Sequence, residues 1–374
     1  MKVAVISRGI PSAQYPLNGI FEFDQAKALA KIGVEVAFIA IDFRALSYKR
    51  KFGLFQYERD GVHVFELSLP IGVYRRALPV LQRLLLIPVR NMLKSFGKPD
   101  IVHAHFYSIA AIASILKRKF CIPFVVTEHS SKLNRNLLEI SRLDARIAAN
   151  AYQKADRVVV VSKALAANLK RNFGVEGQII PNIVDVSDFQ YVERQKKDGF
   201  KFISVGNLIK IKGFDLLIRA FAEAFKDDKT VKLSIVGDGP ERKALQDAVN
   251  QYGIGDQITF LRTIGREKVK QIYYDSDAFV LSSRSETFGV VFIEAMATGL
   301  PVIATRCGGP ESFVDENNGM LVKVNDVDEL ADAMRKIRAN YKNYNPMQIS
   351  EKCREKFAPD VVAEKIISVY NQYL

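Results

Sequence analysis

Ser285-Glu286-Thr287-Phe288-Gly289-Val290-Val291-Phe292-Ile293-Glu294-Ala295-Met296-Ala297-Thr298-Gly299-Leu300-Pro301 is the stretch on which the reading of the chain turns. It follows an apolar, strand-like run, Ala278–Leu281, and opens a helix that Gly299 stops, with Pro301 just beyond. The backbone amides of Phe288, Gly289 and Val290 then point out of a helix N-terminus, where they suit a phosphate. Glu286 lies before the helix and Glu294 within it, with seven residues between. Carboxylates so placed can accept charge-assisted hydrogen bonds from sugar hydroxyls on either side of a diphosphate. Spacing alone equally suits an N-terminal helix charge and an ordinary surface glutamate.

Working outward, short β-branched runs alternate with longer helical patterns. The first half offers Val3–Ile6, Val34–Ile41, Ile101–Phe106, Phe124–Glu128 and Val158–Ser162. The second offers Phe202–Val205, Lys232–Val236, Ile258–Leu261, Ala278–Leu281, Val302–Thr305 and Met320–Val324. Continuous apolar strands between helices predict an α/β fold with parallel sheets covered on both faces. A chain of 374 residues accommodates two such domains. Ile180-Pro181-Asn182-Ile183-Val184-Asp185 and the polar Tyr191–Gly199 are the best linker. The expected domains are residues 1–180 and 181–358, with a last helix over about 359–374 crossing back to the first. Ligands of such sheets bind beyond the carboxyl ends of the strands, so two facing domains would hold theirs in the cleft between.

Composition is that of a globular protein, 48% apolar and 25% charged, and no apolar run reaches the length of a membrane span. Three separated cysteines, Cys121, Cys307 and Cys353, suggest a reducing compartment, hence the cytoplasm. The net charge of +13 is lopsided. Residues 1–180 carry 27 Lys and Arg against 13 Asp and Glu, while the remainder carries 27 against 28. A basic half implies an anionic partner or a merely solvated basic surface.

The Glu-x7-Glu pattern is followed by Ala-Met-Ala-Thr-Gly-Leu-Pro-Val-Ile-Ala-Thr and then Gly308-Gly309-Pro310-Glu311. With it come Val205-Gly206-Asn207-Leu208, Lys212-Gly213, Ile235-Val236-Gly237-Asp238-Gly239-Pro240, and Pro181-Asn182 with Asp185. In the first half stand Val102-His103-Ala104-His105 and Val126-Thr127-Glu128-His129. Together these resemble the family-4 retaining glycosyltransferases, whose fold is GT-B, two Rossmann-like domains. The resemblance covers nearly the whole chain, densest over 200–325 and thinnest over 43–100. It implies that Glu286 contacts the donor sugar, Glu294 the ribose, and the amides of Phe288-Gly289-Val290 the phosphate. Lys212 matches the cation that grips the diphosphate. The usual arginine position holds Asn207, which supplies no charge, so Lys212 acts with less support or Arg262 or Arg266 compensates. His129 would touch the donor sugar or the reacting groups, and Gly237 belongs to the donor site. The resemblance further implies a UDP- or GDP-linked donor, a glycan or lipid-linked acceptor, and chemistry that needs neither metal nor cofactor. In that chemistry the departing diphosphate helps take the acceptor proton, so stabilising its charge and positioning the sugar are the enzyme's tasks.

Several features stand outside the densest motifs. Gly19 follows the first strand and precedes the helical pattern Ile20–Lys31, so it suits either a phosphate-approaching loop or a simple turn. His103 and His105 alternate along a strand and share a face, which is too few ligands for a metal. Asp275-Ser276-Asp277 falls at a turn. Gly237-Asp238-Gly239 lacks the third glycine of a dinucleotide fingerprint, and neither a Gly-x-Ser-x-Gly nor a phosphate-binding Walker loop occurs. The competing functions are a nucleotide-sugar epimerase, which needs no acceptor, and a nucleic-acid-binding protein, for which no recognised module is present. Finally, Leu81, Leu84, Leu85, Val89, Met92, Leu93 and Phe96 follow helical spacing within Leu78–Phe96. Arg83, Arg90 and Lys94 lie off that stripe, Arg75, Arg76 and Lys98 flank it, and Pro88 should kink or divide it. Residues 73–98 either pack on the sheet or dock the protein peripherally on an anionic membrane face.

Overall fold

Runs such as Val3–Ile6 and Phe279–Leu281 are apolar at every position, so only a sheet covered on both faces can bury them. In the computed structural model all of these residues are fully buried. The structure describes residues 1–72, 78–134, 137–187, 189–193, 198–262 and 265–374. The chain divides into two compact units, Met1–Ile183 with Pro359–Leu374, and Val184–Ala358.

The first unit is built on an eight-stranded sheet. Its strands are β1 (Lys2–Ser7), β2 (Glu35–Asp42), β3 (Gly53–Arg59), β4 (Val62–Ser68), β5 (Ile101–His105), β6 (Phe124–Glu128), β7 (Arg157–Val160) and β8 (Gly177–Ile179). They lie in the order β3-β4-β2-β1-β5-β6-β7-β8. Every pairing is parallel except β3 with β4. The helices are α1 (Ile20–Lys31), α2 (Leu78–Ser95), α3 (Tyr107–Phe120), α4 (Arg142–Lys154) and α5 (Lys163–Phe173). The chain's last helix also belongs to this unit: Val362, Ala363, Ile366, Val369 and Tyr370 join the core that holds Phe23, Ala26 and Leu29 of α1.

Two details differ from the sequence reading. β3 and β4 form a hairpin closed by Asp60-Gly61, both at positive φ (53° and 74°), the primed turn that Asp-Gly favours. Most side chains of β3 are exposed, so this edge strand has no apolar run to betray it. Nor does Pro88 divide the segment, since α2 runs unbroken from Leu78 to Ser95. Leu81, Leu85, Val89 and Met92 are buried along one side, and their packing offsets the one backbone hydrogen bond that proline removes. Arg75 and Arg76 lie outside the described residues.

The second unit has a six-stranded, wholly parallel sheet. Its strands are β9 (Phe200–Val205), β10 (Val231–Val236), β11 (Ile258–Leu261), β12 (Ala278–Leu281), β13 (Val302–Thr305) and β14 (Gly319–Val322), in the order β11-β10-β9-β12-β13-β14. Its helices are α6 (Phe214–Phe225), α7 (Arg242–Gln251), α8 (Arg266–Tyr274), α9 (Val290–Ala297), α10 (Val327–Ala339) and α11 (Pro346–Phe357), after which α12 (Pro359–Tyr370) returns to the first unit. The order in which successive strands are added reverses between β9 and β12 here, and between β1 and β5 in the first sheet. Each reversal is a topological switch point, where an open α/β sheet leaves a crevice at its carboxyl edge.

Candidate active site

In the second unit the candidate residues gather at that switch point. β9 leads through the exposed Asn207 to a tight turn, Lys210–Lys212, closed by Gly213 in the left-handed region. β12 leads through Ser282 and Ser283 to Glu286. The two strands are neighbours, so the two loops meet. Lys212 Nζ lies 2.5 Å from Glu286 Oε1, and the Ser283 hydroxyl donates to the same oxygen at 2.7 Å. Glu286 is only 8% exposed, so its carboxylate is held among donors and not by bulk water. Its backbone is fixed too: the Glu286 amide donates to the Cys307 carbonyl, and the Gly309 amide donates to the Glu286 carbonyl. Burial pushes the Cys307 thiol up to about 12, which leaves it no thiolate character at neutral pH.

The Lys212 turn is clamped from below. Arg284 donates to both oxygens of Asp215, to the Lys210 carbonyl and to Asn325, while its own amide donates to the Ile211 carbonyl. α9 then begins at Val290 with Gly289 as its N-cap, and no side chain caps it. The helix N-terminus is thus left to be satisfied by something other than its own cap residue. Phe288 is buried between the rings of Phe313 and Phe357, each 5.7 Å away, so only its backbone is offered to a ligand. About one turn on, the half-buried Glu294 has Oε2 3.4 Å from the hydroxyl of the buried Tyr273. Gly237 follows β10 with its α-carbon against the Gly206 carbonyl. Arg262 is exposed, and the Arg266 side chain lies outside the described residues. Arg242 donates to the Gly237 and Phe260 carbonyls, so it braces the Gly237 loop.

The remaining candidates belong to the first unit, again at its switch point. Gly19 caps α1, and a side chain there would meet the Gly9 carbonyl at 2.2 Å, so tight packing of two loop backbones already demands glycine. Beneath it the Ser7 hydroxyl lies 2.9 Å from the Gly9 carbonyl and 3.1 Å from Oε1 of the fully buried Glu22, with Arg8 3.8 Å from that oxygen. Burial raises the Glu22 carboxyl above its ordinary range, against the pull of Arg8. His129 stands past the end of β6, its ring 5.1 Å from Phe106 and 6.4 Å from Phe21, with its Nε2 2.8 Å from His105 Nδ1. Burial, with Arg8 adding to it, pushes the His129 imidazole down to about 3. Sequence reasoning missed Ser283, Arg284, Tyr273, Arg8 and Glu22, because none stands in a pattern that marks it before the loops are folded. No three His, Cys, Asp or Glu side chains among the described residues converge as a metal site would require.

Comparison with known proteins identifies the family and the fold. Residues 187–355 match the model for glycosyl transferases group 1, and residues 23–188 that for glycosyltransferase family 4. An uncharacterized glycosyltransferase of Methanocaldococcus jannaschii is 30% identical over 257 residues, 67% of this chain and 68% of its own. The chain belongs to the family-4 glycosyltransferases. A Bacillus subtilis protein assigned to teichuronic acid biosynthesis as the glycosyltransferase TuaC is 28% identical over 357 residues, 89% of this chain and 88% of its own. Among solved structures, Anabaena HepE in complex with UDP matches this glycosyltransferase with a TM-score of 0.74 over 99% of both chains, at 18% identity. Likeness at that identity speaks for the fold, which is of the GT-B class with two Rossmann-like units.

Proposed function

We propose that this glycosyltransferase moves a hexosyl group from a UDP- or GDP-linked donor to a glycan or lipid-linked acceptor of surface polysaccharide assembly, with retention and without a metal. The observation that carries the reading is the Lys212–Glu286 pair beside the uncapped N-terminus of α9. A cation and a set of helix-end amides suit the charge that grows on a departing diphosphate. Glu286, fixed by Lys212 and Ser283, orients the sugar, and Glu294 takes the ribose hydroxyls. His129 contributes contact to the sugar or the reacting groups. The UDP held by HepE and the polysaccharide role assigned to TuaC support the donor and acceptor classes.

The same reading gives α2 a second task. Its buried side belongs to the core, while Val80, Arg83, Ile87, Arg90 and Lys94 are exposed. No helix among the described residues is long and apolar enough to cross a membrane. Apolar and cationic side chains interleaved on one exposed helix face suit an anionic membrane surface from which a lipid-linked acceptor is drawn.

A thermal-shift panel of UDP, GDP, ADP and their sugars tests the donor assignment. A ligand at a hundred times its dissociation constant stabilises by about 2.7 kcal/mol, a readily measured shift. Stabilisation by UDP or GDP, and transfer from the matching nucleotide-sugar to an added acceptor, is the expected result. A protein indifferent to every nucleotide in the panel would end the proposal.

A further inference from the structure

β5 and β6 are neighbours, and alternation along β5 puts His103 and His105 on one face. Their rings and that of His129 form a stack, with centroids 4.7 Å and then 5.1 Å apart. The inner ring is fully committed. His103 Nδ1 meets the Tyr370 hydroxyl at 2.6 Å and the Gln25 amide nitrogen at 3.0 Å, and its Nε2 meets the Thr127 hydroxyl at 2.6 Å. An amide nitrogen only donates, so His103 Nδ1 accepts and the ring proton sits on Nε2.

The outer two rings pose a sharper choice. His105 Nδ1 and His129 Nε2 are 2.8 Å apart, whereas His105 Nε2 and His129 Nδ1 are both buried without a hydrogen-bond partner. Burial keeps both imidazoles neutral. Each neutral ring carries one proton, and one ring must donate across the shared contact. Donation from His129 would leave the His105 Nε2 proton buried with no acceptor. Donation from His105 leaves only an unused lone pair there, and a stranded lone pair is tolerated better than a stranded N–H. It also puts the His129 proton on Nδ1, beside the side-chain oxygen of Asn182, which is itself buried and lacks a hydrogen bond. Phe106 and Phe21 flank the His129 ring, and Phe106 keeps its place at a strained φ of 65°.

We propose that His105 is a positioning residue, which fixes His129 as the neutral tautomer protonated on Nδ1 and so presents an N–H beside Asn182 to an oxygen of the bound sugar or acceptor. The sugar or acceptor as occupant rests on the transferase reading above; the tautomer itself does not. Long-range proton–nitrogen correlation spectra of the full chain labelled with 15N-histidine, without substrate, test it directly. The His129 signals are identified by their loss in His129→Gln. The expected spectrum has a protonated Nδ1 and a bare Nε2 for His129, and the reverse pattern would overturn the proposal. In His105→Phe with Asn182→Leu, which removes the donor at Nε2 and the acceptor at Nδ1 together, the Nδ1-protonated form should give way to the Nε2-protonated one, whereas Asn182→Leu alone should keep it. His105→Asn, whose amide nitrogen reaches the place of Nδ1, should retain it. Persistence of the Nδ1 proton in the double variant would show that His105 is not what sets it. With the donor identified, the double variant should lower kcat about tenfold or more relative to Asn182→Leu, while nucleotide affinity stays within about twofold. The expected spectra without any transferase activity would count against the proposed function alone.

Discussion

The Arg284 guanidinium closes on the Asp215 carboxylate through two hydrogen bonds of 2.9 and 2.7 Å, and thereby holds the turn that carries Lys212. This makes the Lys212 ammonium a preorganised charge, since its backbone is fixed before any ligand arrives. Preorganised charge counts most where new charge appears during the reaction. Lys212→Ala should therefore lower kcat more than it weakens nucleotide binding, by about 100-fold against a few-fold. Steady-state kinetics beside calorimetry separates the two. Loss confined to KM, with kcat intact, would remove Lys212 from the charge-stabilising role. A chelator should leave the wild-type rate unchanged.

Glu294 sits about one turn from the α9 N-terminus, half-buried beside Tyr273. Glu294→Ala should weaken binding of the cognate nucleoside diphosphate roughly tenfold to a hundredfold, from the loss of charge-assisted hydrogen bonds of about 1.5–3 kcal/mol. Tyr273 is packed against Phe189 and Phe279, so the folded core should survive the change. Unchanged affinity in a folded variant, read by titration calorimetry, would place the ribose elsewhere.

Gly213 and Gly253 share a left-handed φ of 68° but not an environment. A β-carbon at Gly213 would lie 2.1 Å from the Ser282 carbonyl oxygen, while at Gly253 it would meet nothing within 4 Å. Gly253→Ala should cost about 1 kcal/mol, the backbone strain alone. Gly213→Ala adds a backbone clash and should cost about 3 kcal/mol or more. Melting of the two variants side by side reads the difference, and equal losses would mean that the Ser282 loop yields freely.

Much of this was legible in the residues, and the boundary of legibility has physical causes. Phe124–Val126, Ala278–Leu281 and Val302–Ala304 announce themselves because a strand buried on both faces must be apolar throughout. β3 does not, because an exposed edge strand carries no such demand, although Asp60-Gly61 was a hairpin signal in plain view. The loops of Lys212 and Glu286 could be ranked from motifs, but Ser283 and Arg284 could not. The serine hydroxyl meets a partner 3 residues away within one folded loop, and the guanidinium meets one 69 residues away, a relation that exists only once β9 and β12 pair.

The histidine stack predicts acid sensitivity of the first unit. Burial, with His129 as a lesser contributor, pushes His103 down to about 3 from the ordinary 6.5. The unfolded chain then binds more protons than the folded one between those values, so the stability present above pH 6.5 is lost as pH falls toward 3. The slope for one such ring approaches about 1.4 kcal/mol per pH unit. Burial raises the Glu22 and Glu128 carboxyls, which act in the opposite sense. They are common to wild type and His103→Gln, so their contribution cancels in the comparison. Urea unfolding between pH 7 and 5, followed by circular dichroism, should show a shallower loss in His103→Gln by roughly that slope. Parallel pH profiles would mean that the ring is protonated in the fold.

The exposed face of α2 supplies the last prediction. Val80 is 53% and Ile87 40% exposed, and Arg83 and Arg90 lie between and beyond them at helical spacing. The buried side of the same helix is spent on the core, so only this outer face is available to a surface. Apolar side chains can enter the lipid interface while the arginines pair with anionic headgroups at about 1 kcal/mol each. Co-sedimentation with vesicles should require anionic lipid and weaken as salt rises, because the headgroup field is screened within a Debye length. Arg83→Glu with Arg90→Glu should reduce binding roughly thirtyfold or more, two cations being worth about 2 kcal/mol before the added repulsion. Val80→Ser with Ile87→Ser should weaken binding at all salt concentrations, since it removes buried apolar area and leaves the charge intact. If the wild type ignores anionic vesicles at low salt, α2 has no docking role, and the acceptor is to be sought among soluble glycans.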